Sequence, residues 1–248
     1  MHIVAHRGAT AHAPENTLEA FRAALQLGAD AVELDVRLSA DGVPVVYHYA
    51  YLHGGTDGSG PVWQRTLAEL RDLRVGGRDG VRIPMLEEVL EEFAGTGLGL
   101  EIELKGPEPE AVGIVGGLLE TVRAAWERIE VTSHEPALLA ALASRCPGLG
   151  TALLFPRSEA WMGPDVVAYF ALHRARQAGA HLVHLHPTQL SDDVVGRIRA
   201  GGIDVHAWEV NDLAAFELAR GLGVNRICTD QLAAALRWRA DAGAAQSR

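Results

Sequence analysis

Short apolar runs alternate with amphipathic stretches along most of the 248-residue chain. Apolar runs bounded by turn-forming residues predict strands, and apolar positions at helical spacing predict helices. The predicted strands are Ile3–His6, Ala31–Val36, Val43–His48, Leu98–Leu104, Ile129–Ser133, Gly150–Phe155, His181–His186, Asp204–Glu209 and Arg226–Thr229. The predicted helices are Thr17–Leu27, Leu86–Ala94, Glu110–Arg123, Pro136–Ser144, Pro164–Ala178, Ser191–Ala200, Asp212–Arg220 and Leu232–Ala240. Strands that alternate with helices in this way are typical of a parallel sheet with helices packed against it.

The clearest predicted helix, Thr17–Leu27, also carries signals for both of its ends. Asn16 precedes it and Glu19 follows three residues later, so we expect Asn16 to cap the amino terminus. Gly28 comes directly after the last residue of the pattern and predicts where the helix ends, because glycine readily adopts the left-handed conformation found there.

The connection between the second and third predicted strands decides the architecture. The segment LSADGVP, Leu38–Pro44, contains an Asp-Gly turn signal. It is too short for a crossover between parallel strands, which needs about 12 residues or more. We therefore expect Val43–His48 to fold back antiparallel on Ala31–Leu38, which brings His48 level with about Glu33. Eight strand–helix units then remain, and they predict a (β/α)8 TIM barrel with an extra β-hairpin arm.

One stretch of the chain fits no strand–helix unit. From Tyr49 to about Ile83 the sequence is rich in glycine and holds only a short helical pattern at Leu67–Leu73. We interpret this stretch as a small insertion over the barrel mouth. The length of the chain is typical of a barrel that forms one domain, so we expect residues 1–248 to form a single domain.

The amino-acid composition and net charge of the chain limit the kinds of molecule that we expect it to bind. Hydrophobic residues make up 48% of the chain, which is ordinary for a globular protein, and the net charge is −10. This charge argues against nucleic acid and against stable association with an anionic membrane, and leaves a small-molecule substrate as the expected partner.

Cys146 and Cys228 lie outside any metal or redox spacing, so we expect buried free thiols in a reducing compartment. With no signal-peptide pattern, a cytoplasmic enzyme is expected, and its oligomeric state stays open.

Charged side chains gather at the predicted strand ends, where barrel enzymes place their chemistry. They are His6 and Arg7 after the first strand, Glu33 and Asp35 on the second, and Glu101, Glu103 and Lys105 on the next barrel strand. Residues two apart on a strand share one face, so each set of carboxylates points the same way. Buried carboxylates need a neutralising cation, and an all-oxygen ligand set favours Mg²⁺ or Ca²⁺ over zinc. We expect Glu101 to pair instead with an arginine deeper in the barrel.

A divalent ion beside Arg7 and Lys105 would form an anion pocket flanked by His6 and His48. Histidines titrate near neutral pH, so one can donate a proton while the other accepts one. Lys105 is the only lysine among 22 basic residues, and its compact charge suits a pocket for metal and phosphate better than the planar fork of arginine. Together these groups predict cleavage of a phosphodiester.

Six segments of the chain resemble, in order, the signature segments of the glycerophosphodiester phosphodiesterase family. They are AHRGATAHAPENTLEAF, ELDVRLSADGVPVVYH, TDGSG, IPMLEEVL, EIELK and VHAWEVND. The resemblance spans about Val4 to Asp230. It implies a TIM barrel with a small insertion after the second histidine, a divalent metal, and hydrolysis of a glycerophosphodiester to sn-glycerol 3-phosphate and an alcohol.

The same resemblance implies a role for each of eight residues. His6 and His48 correspond to the acid–base pair, Arg7, Lys105 and Trp208 to contacts with phosphate or glycerol, and Glu33, Asp35 and Glu103 to the metal ligands. The sequence leaves open which histidine is the acid. It also leaves open whether the substrate's own glycerol hydroxyl attacks first and forms a cyclic phosphate.

The chain departs from the family pattern beside the second histidine. Tyr49 stands where the family usually has aspartate, and Glu209 replaces a usual threonine. Two alternatives therefore stay open: a related phospholipase that acts on lysolipid or lipid, and a catalytically weakened relative that only binds phosphodiesters. The first alternative would need an exposed apolar rim around the mouth, for which Tyr49, Tyr51 and Trp63 are candidates, and the acidic net charge argues against it. We expect His184 and His186 to pack inside the barrel without binding a metal.

Overall fold

A computed structural model describes residues 1–246, and eight of its strands close into a parallel barrel. The strands are β1 (His2–Ala5), β2 (Ala31–Leu38), β3 (Pro44–Val46), β4 (Gly99–Leu104), β5 (Ile129–Ser133), β6 (Gly150–Leu154), β7 (Leu182–Leu185), β8 (Asp204–Ala207) and β9 (Arg226–Thr229). They follow the order β1-β9-β8-β7-β6-β5-β4-β2-β3, and β1 also pairs with β2 and closes the ring. The prediction of a TIM barrel is confirmed.

Helices connect the barrel strands and cover the outside of the barrel. They are α1 (Leu18–Leu27), α2 (Leu67–Arg71), α3 (Leu86–Phe93), α4 (Glu110–Thr121), α5 (Pro136–Arg145), α6 (Pro164–Gln177), α7 (Asp192–Ala200), α8 (Leu213–Gly221) and α9 (Leu232–Gln246). Helix α9 extends further than the sequence pattern predicts, and a 3-10 helix at Arg123–Arg128 follows α4. Within residues 1–246, no helix combines the length and the apolar character needed to cross a membrane.

The predicted hairpin arm is present beside the barrel. Strand β3 runs antiparallel to β2, and Val36 pairs with Val46. Ser39 N donates to Val43 O over 3.0 Å across the Asp-Gly turn. If this register continues for two more residues, His48 lies opposite Leu34, one residue from the predicted position.

The insertion has a small hydrophobic core of its own. This core joins the arm to the segment that follows it, and its buried members are Val45, Tyr47, Leu52, Val62, Leu70, Val75 and Ile83. The hydroxyl of Tyr47 donates to the carbonyl of Leu52 over 2.7 Å. The apolar contacts therefore fix the arm against the insertion and hold the backbone that leads to His48.

The start of α1 differs from the prediction. Thr17 is the N-cap, and its Oγ1 accepts a hydrogen bond from Ala20 N at 3.2 Å. Asn16 has a left-handed backbone with φ 56°, and its side-chain amide donates to Asp35 Oδ2 over 2.7 Å. The prediction of Asn16 as the cap was wrong because its side chain binds strand β2 instead.

A close approach between the turn after β1 and helix α1 positions the first site residues. Gly8 has φ 89°, and a Cβ on it would lie 2.7 Å from Ala20 Cβ and 2.8 Å from the Ala20 carbonyl carbon. Only glycine fits both this backbone conformation and this space. The turn can therefore pack directly against α1, and this contact directs His6 and Arg7 into the barrel mouth.

Replacing Gly8 by alanine should destabilise the fold more than the matched change at Gly28. Gly28 also has a positive φ, 84°, but its Cβ would meet no atom within 4 Å. We expect G28A to lower the free energy of unfolding by about 1 kcal/mol, from backbone strain alone. For G8A the overlap with α1 adds to the strain, and we expect a loss of about 3 kcal/mol. Equal losses in urea denaturation would contradict this account of the turn.

Candidate active site

The predicted site residues meet at one cavity of about 170 Å³ at the carboxyl ends of the barrel strands. The cavity is lined by His6, Arg7, Glu33, His48, Glu103, Lys105 and Trp208, and also by Glu101, His134, Leu154, Glu209 and Cys228. Asp35 is fully buried and forms ion pairs with Arg7 and Lys105. The structure therefore brings together all eight residues singled out from the sequence.

Three buried carboxylates lie on one side of this cavity. Glu33, Asp35 and Glu103 each offer an oxygen, and these oxygens all lie within 4.8 Å of one another. Burial raises the pKa of Glu33 well above its usual range, and the charge of Asp35 adds to the effect. Burial also raises the pKa of Glu103 to about 7, although the nearby Lys105 opposes the shift. Both shifts show that negative charge is crowded here.

The carboxylates fit a divalent cation with oxygen ligands. Glu103 Oε1 is buried and accepts no hydrogen bond, and Asp35 Oδ1 has only an ion-pair contact, with Lys105 Nζ at 3.1 Å. Buried oxygens without donors are costly unless a cation satisfies them. These two oxygens are the positions at which the carboxylates would hold a cation.

Two basic side chains contact these carboxylates. Lys105 Nζ lies 2.7 Å from Glu103 Oε2, and Arg7 Nε lies 3.2 Å from Asp35 Oδ2. Burial would raise the pKa of Asp35, but the charges of Lys105 and Arg7 outweigh it and lower this pKa to about 2. Glu15 also binds Arg7, with Nη1 donating to Oε2 over 3.1 Å. Both cations are thus fixed where an anionic ligand would enter.

His6 is oriented by a residue that sequence reasoning missed. Its Nδ1 donates to Asp230 Oδ1 over 2.6 Å, and Asp230 Oδ2 accepts a second hydrogen bond from Asn211 Nδ2 at 2.6 Å. Burial would lower the pKa of His6, but the hydrogen bond to Asp230 and the charge of Glu33 raise it to about 9. Asp230 directly follows β9, and the rule that chemistry lies at strand ends could have found it.

His48 lies in an environment of the opposite kind. Burial and the charges of Lys105 and Arg7 lower the pKa of His48 to about 4, although the charge of Asp35 opposes the shift. Its carbonyl oxygen accepts from Arg37 Nε at 2.9 Å and Nη2 at 2.7 Å, which fixes the backbone. Tyr49 stands edge-on to the His48 ring, with centroids 4.8 Å apart. Tyr49 therefore supports the ring by packing.

A third group of residues forms the rim of the cavity. Trp208 packs against the buried apolar residues inside the barrel, and Arg157 Cζ lies 5.8 Å from the centre of its ring. Glu209 pairs with Arg157 and has a left-handed backbone with φ 55°. No sequence pattern connects Arg157 with this rim, because it comes from the loop after β6.

Glu101 points into the barrel below the three carboxylates. Its Oε2 accepts a hydrogen bond from Arg226 Nη2 at 2.9 Å, so the predicted pairing with an arginine is confirmed. Cys146 and Cys228 are both buried and free, as the sequence predicts.

Comparison with known proteins identifies the family. Residues 6–234 match the model of the glycerophosphoryl diester phosphodiesterase family. The chain belongs to this family. It is therefore a phosphoric diester hydrolase, and the family resemblance seen in its sequence motifs is confirmed.

Relatives of this family match the chain over nearly its whole length. YhdW of Bacillus subtilis is 35% identical over 238 residues, which cover 93% of this chain and 94% of the relative. A glycerophosphodiester phosphodiesterase of Caldanaerobacter subterraneus subsp. tengcongensis is 30% identical over 92% of this chain and 93% of its own. A solved structure of an Oleispira antarctica phosphodiesterase in complex with the product sn-glycerol-3-phosphate has a TM-score of 0.83 and 28% identity, and 96% of each chain is covered.

Glu103 should make the metal-free protein less stable as the pH rises. Its pKa is about 7 in the folded chain against a usual value of 4.5, so its stabilising contribution is full below pH 4.5 and is lost as the pH rises through 7. We expect Glu103→Gln to flatten the fall in melting temperature between these two pH values. The exposed Glu91 provides the control Glu91→Gln. If thermal unfolding of E103Q follows the wild-type pH dependence, the crowding of charge described above is wrong.

Proposed function

We propose that the chain is a single-domain cytoplasmic enzyme that hydrolyses glycerophosphodiesters to sn-glycerol 3-phosphate and an alcohol. The observation that carries this proposal is that His6 and His48 line one cavity together with Arg7, Lys105 and the carboxylates of Glu33 and Glu103. The product bound to the Oleispira antarctica phosphodiesterase and the named activity of the Caldanaerobacter relative support the choice of substrate class.

The proposed cofactor is one divalent cation, Mg²⁺ or Ca²⁺, held by Glu33, Asp35 and Glu103. When bound, it stabilises negative charge on the phosphoryl oxygens. Lys105 and Arg7 bind the same phosphate. The ion pair with Asp35 and the hydrogen bond with Glu15 hold the guanidinium of Arg7 in place before substrate arrives. Trp208 offers its ring to the glycerol moiety.

The pKa shifts assign the acid and the base. Near neutral pH, His6 with a pKa of about 9 carries a proton, and His48 with a pKa of about 4 does not. We therefore assign His48 as the general base, which takes the proton from the attacking oxygen as that oxygen bonds to phosphorus. The attacking group is water, or it is the glycerol hydroxyl where a cyclic phosphate forms first and water then opens it. His6 is the general acid, and it protonates the leaving alkoxide as the phosphorus–oxygen bond breaks. Asp230 positions His6 for this step.

Removal of either histidine should abolish most of the activity. We expect His6→Ala and His48→Ala to lower kcat on glycerophosphocholine and glycerophosphoethanolamine by about 100-fold or more. The measurement is release of sn-glycerol 3-phosphate with Mg²⁺ or Ca²⁺ in excess. His53 lies exposed on the insertion, so His53→Ala is the matched control and should keep the wild-type rate.

Two outcomes would contradict this proposal in different ways. Wild-type protein that binds glycerol phosphate but hydrolyses neither diester with any divalent ion would be a binding relative without turnover. A His6→Ala variant with the wild-type rate would leave the activity in place and remove His6 from the catalytic residues.

Asp230 should control the alkaline limb of the rate profile. Its hydrogen bond helps to raise the pKa of His6, so Asp230→Asn should move the loss of activity at high pH to lower pH. The acidic limb, set by His48, should stay in place. A pH profile of kcat measures both limbs, and the exposed Asp241 provides the control Asp241→Asn. A uniform loss of rate with both limbs unmoved would show that Asp230 only supports the fold.

A lysolipid is the second candidate substrate because the insertion carries exposed aromatic side chains. Tyr51 is 52% exposed and Trp63 is 44% exposed, and their ring centroids lie 6.2 Å apart. Such a pair can contact an acyl chain outside the cavity. Parallel assays of lysophosphatidylcholine and glycerophosphocholine separate the two candidates, since Trp63→Ala should weaken only the use of lysolipid.

A further inference from the structure

A second buried polar cluster lies inside the barrel, one layer of side chains below the catalytic cavity. We call it the floor cluster, and its members are Glu101 on β4, Glu130 on β5, His184 on β7, His206 on β8 and Arg226 on β9. Glu101 precedes Glu103 by two residues and His206 precedes Trp208 by two, so each lies one layer nearer the amino ends of the strands.

Three members of the floor cluster are arranged as metal ligands. Glu130, His184 and His206 each offer one ligand atom, and these atoms all lie within 4.8 Å of one another. His184 Nε2 is already 2.9 Å from Glu130 Oε1, and the rings of His184 and His206 have their centroids 5.1 Å apart. The three residues come from separate strands, so the closed barrel itself holds them together.

The histidines of the floor cluster are not satisfied by protein groups alone. His184 is 1% exposed, and its Nδ1 has no hydrogen-bond partner, the nearest carboxylate oxygen being Glu101 Oε1 at 3.5 Å. His206 Nδ1 is buried and also has no partner. Buried polar atoms are rarely left in this state without a function or a ligand. Two such histidines beside a carboxylate therefore point to a bound cation.

The chemistry of these ligands differs from that of the catalytic site. Two imidazoles and one carboxylate form a mixed nitrogen and oxygen set, which zinc accepts and which Mg²⁺ and Ca²⁺ do not favour. Zinc bonds of about 2.1 Å in a tetrahedral site place the ligand atoms about 3.3 Å apart. The side chains would therefore need to move by about 1.5 Å at most.

We propose that the floor cluster binds one Zn²⁺ ion through Glu130, His184 and His206, which replaces the expectation from the sequence that His184 only packs inside the barrel. The ion takes the place of a proton that His184 shares with the neighbouring carboxylates, and this proton leaves to solvent. Arg226 remains paired with Glu101 at 2.9 Å.

The route to the floor cluster starts at the face opposite the catalytic cavity. The side chains of Glu130 and Arg226 keep 12% and 19% of their surface exposed. Glu130 is the second residue of β5 and Arg226 is the first residue of β9, so this exposed surface lies toward the amino-terminal end of the barrel. Glu101 lines the catalytic cavity, but none of the three proposed zinc ligands does.

The test is a zinc titration of the full chain. The protein is first freed of metal with a chelator, and excess Mg²⁺ is then added to fill the catalytic site. We expect wild-type protein to bind one equivalent of Zn²⁺ against a competing chelating dye. His206→Phe should bind it at least tenfold more weakly, as should a second variant, Glu130→Gln. His206 makes no hydrogen bond through its buried Nδ1, so phenylalanine fills the space without breaking one.

His181 supplies the matched control, because it is an exposed histidine directly before the start of β7. His181→Gln should keep the wild-type zinc equivalent, and circular dichroism should show that all variants are folded. Co²⁺ added in place of zinc should give the visible spectrum of a site with nitrogen ligands, and this spectrum should be absent in H206F. If wild-type protein takes up no zinc in excess Mg²⁺, or H206F and E130Q both bind it as wild type does, the proposal fails. Neither result bears on the hydrolysis of diesters, which depends on the other site.

Discussion

The burial of three carboxylates at the open end of the barrel is the constraint on which the site depends. Glu33, Asp35 and Glu103 lie within a few ångströms of one another in a space that water barely reaches. Such a group persists in a folded chain only where positive charge and hydrogen-bond donors surround it. Lys105 and Arg7 supply the charge, and the amide of Asn16 supplies a donor to Asp35.

The backbone is distorted where it serves this constraint. Within residues 1–246, the non-glycine residues with a positive φ are Arg7, Asn16 and Glu209, and all three lie at the barrel mouth. Arg7 N donates to Glu33 Oε2 over 3.1 Å in this conformation, while its side chain reaches Asp35. Left-handed backbone costs about 1 kcal/mol or more in such residues, so the surrounding contacts must hold each one in place.

The sequence was sufficient for the barrel and for the convergence of the site, because both follow from periodicity and strand-end positions. The Asp-Gly turn alone predicted the antiparallel pairing of β3 with β2. It was not sufficient for contacts that cross between distant strands. Asp230 binds His6 from 224 residues away, and Asn16 gives up its expected cap to bind Asp35. These contacts depend on three-dimensional packing, which no local pattern of residue types encodes.

The most direct test of the account is a crystal structure of the chain with sn-glycerol 3-phosphate and Mg²⁺ or Ca²⁺. We expect one cation bound by Glu33, Asp35 and Glu103. We also expect a phosphate that contacts this cation and lies within hydrogen-bond distance of both His6 and His48. A phosphate that contacts neither histidine, or a cation held by other side chains, would contradict it.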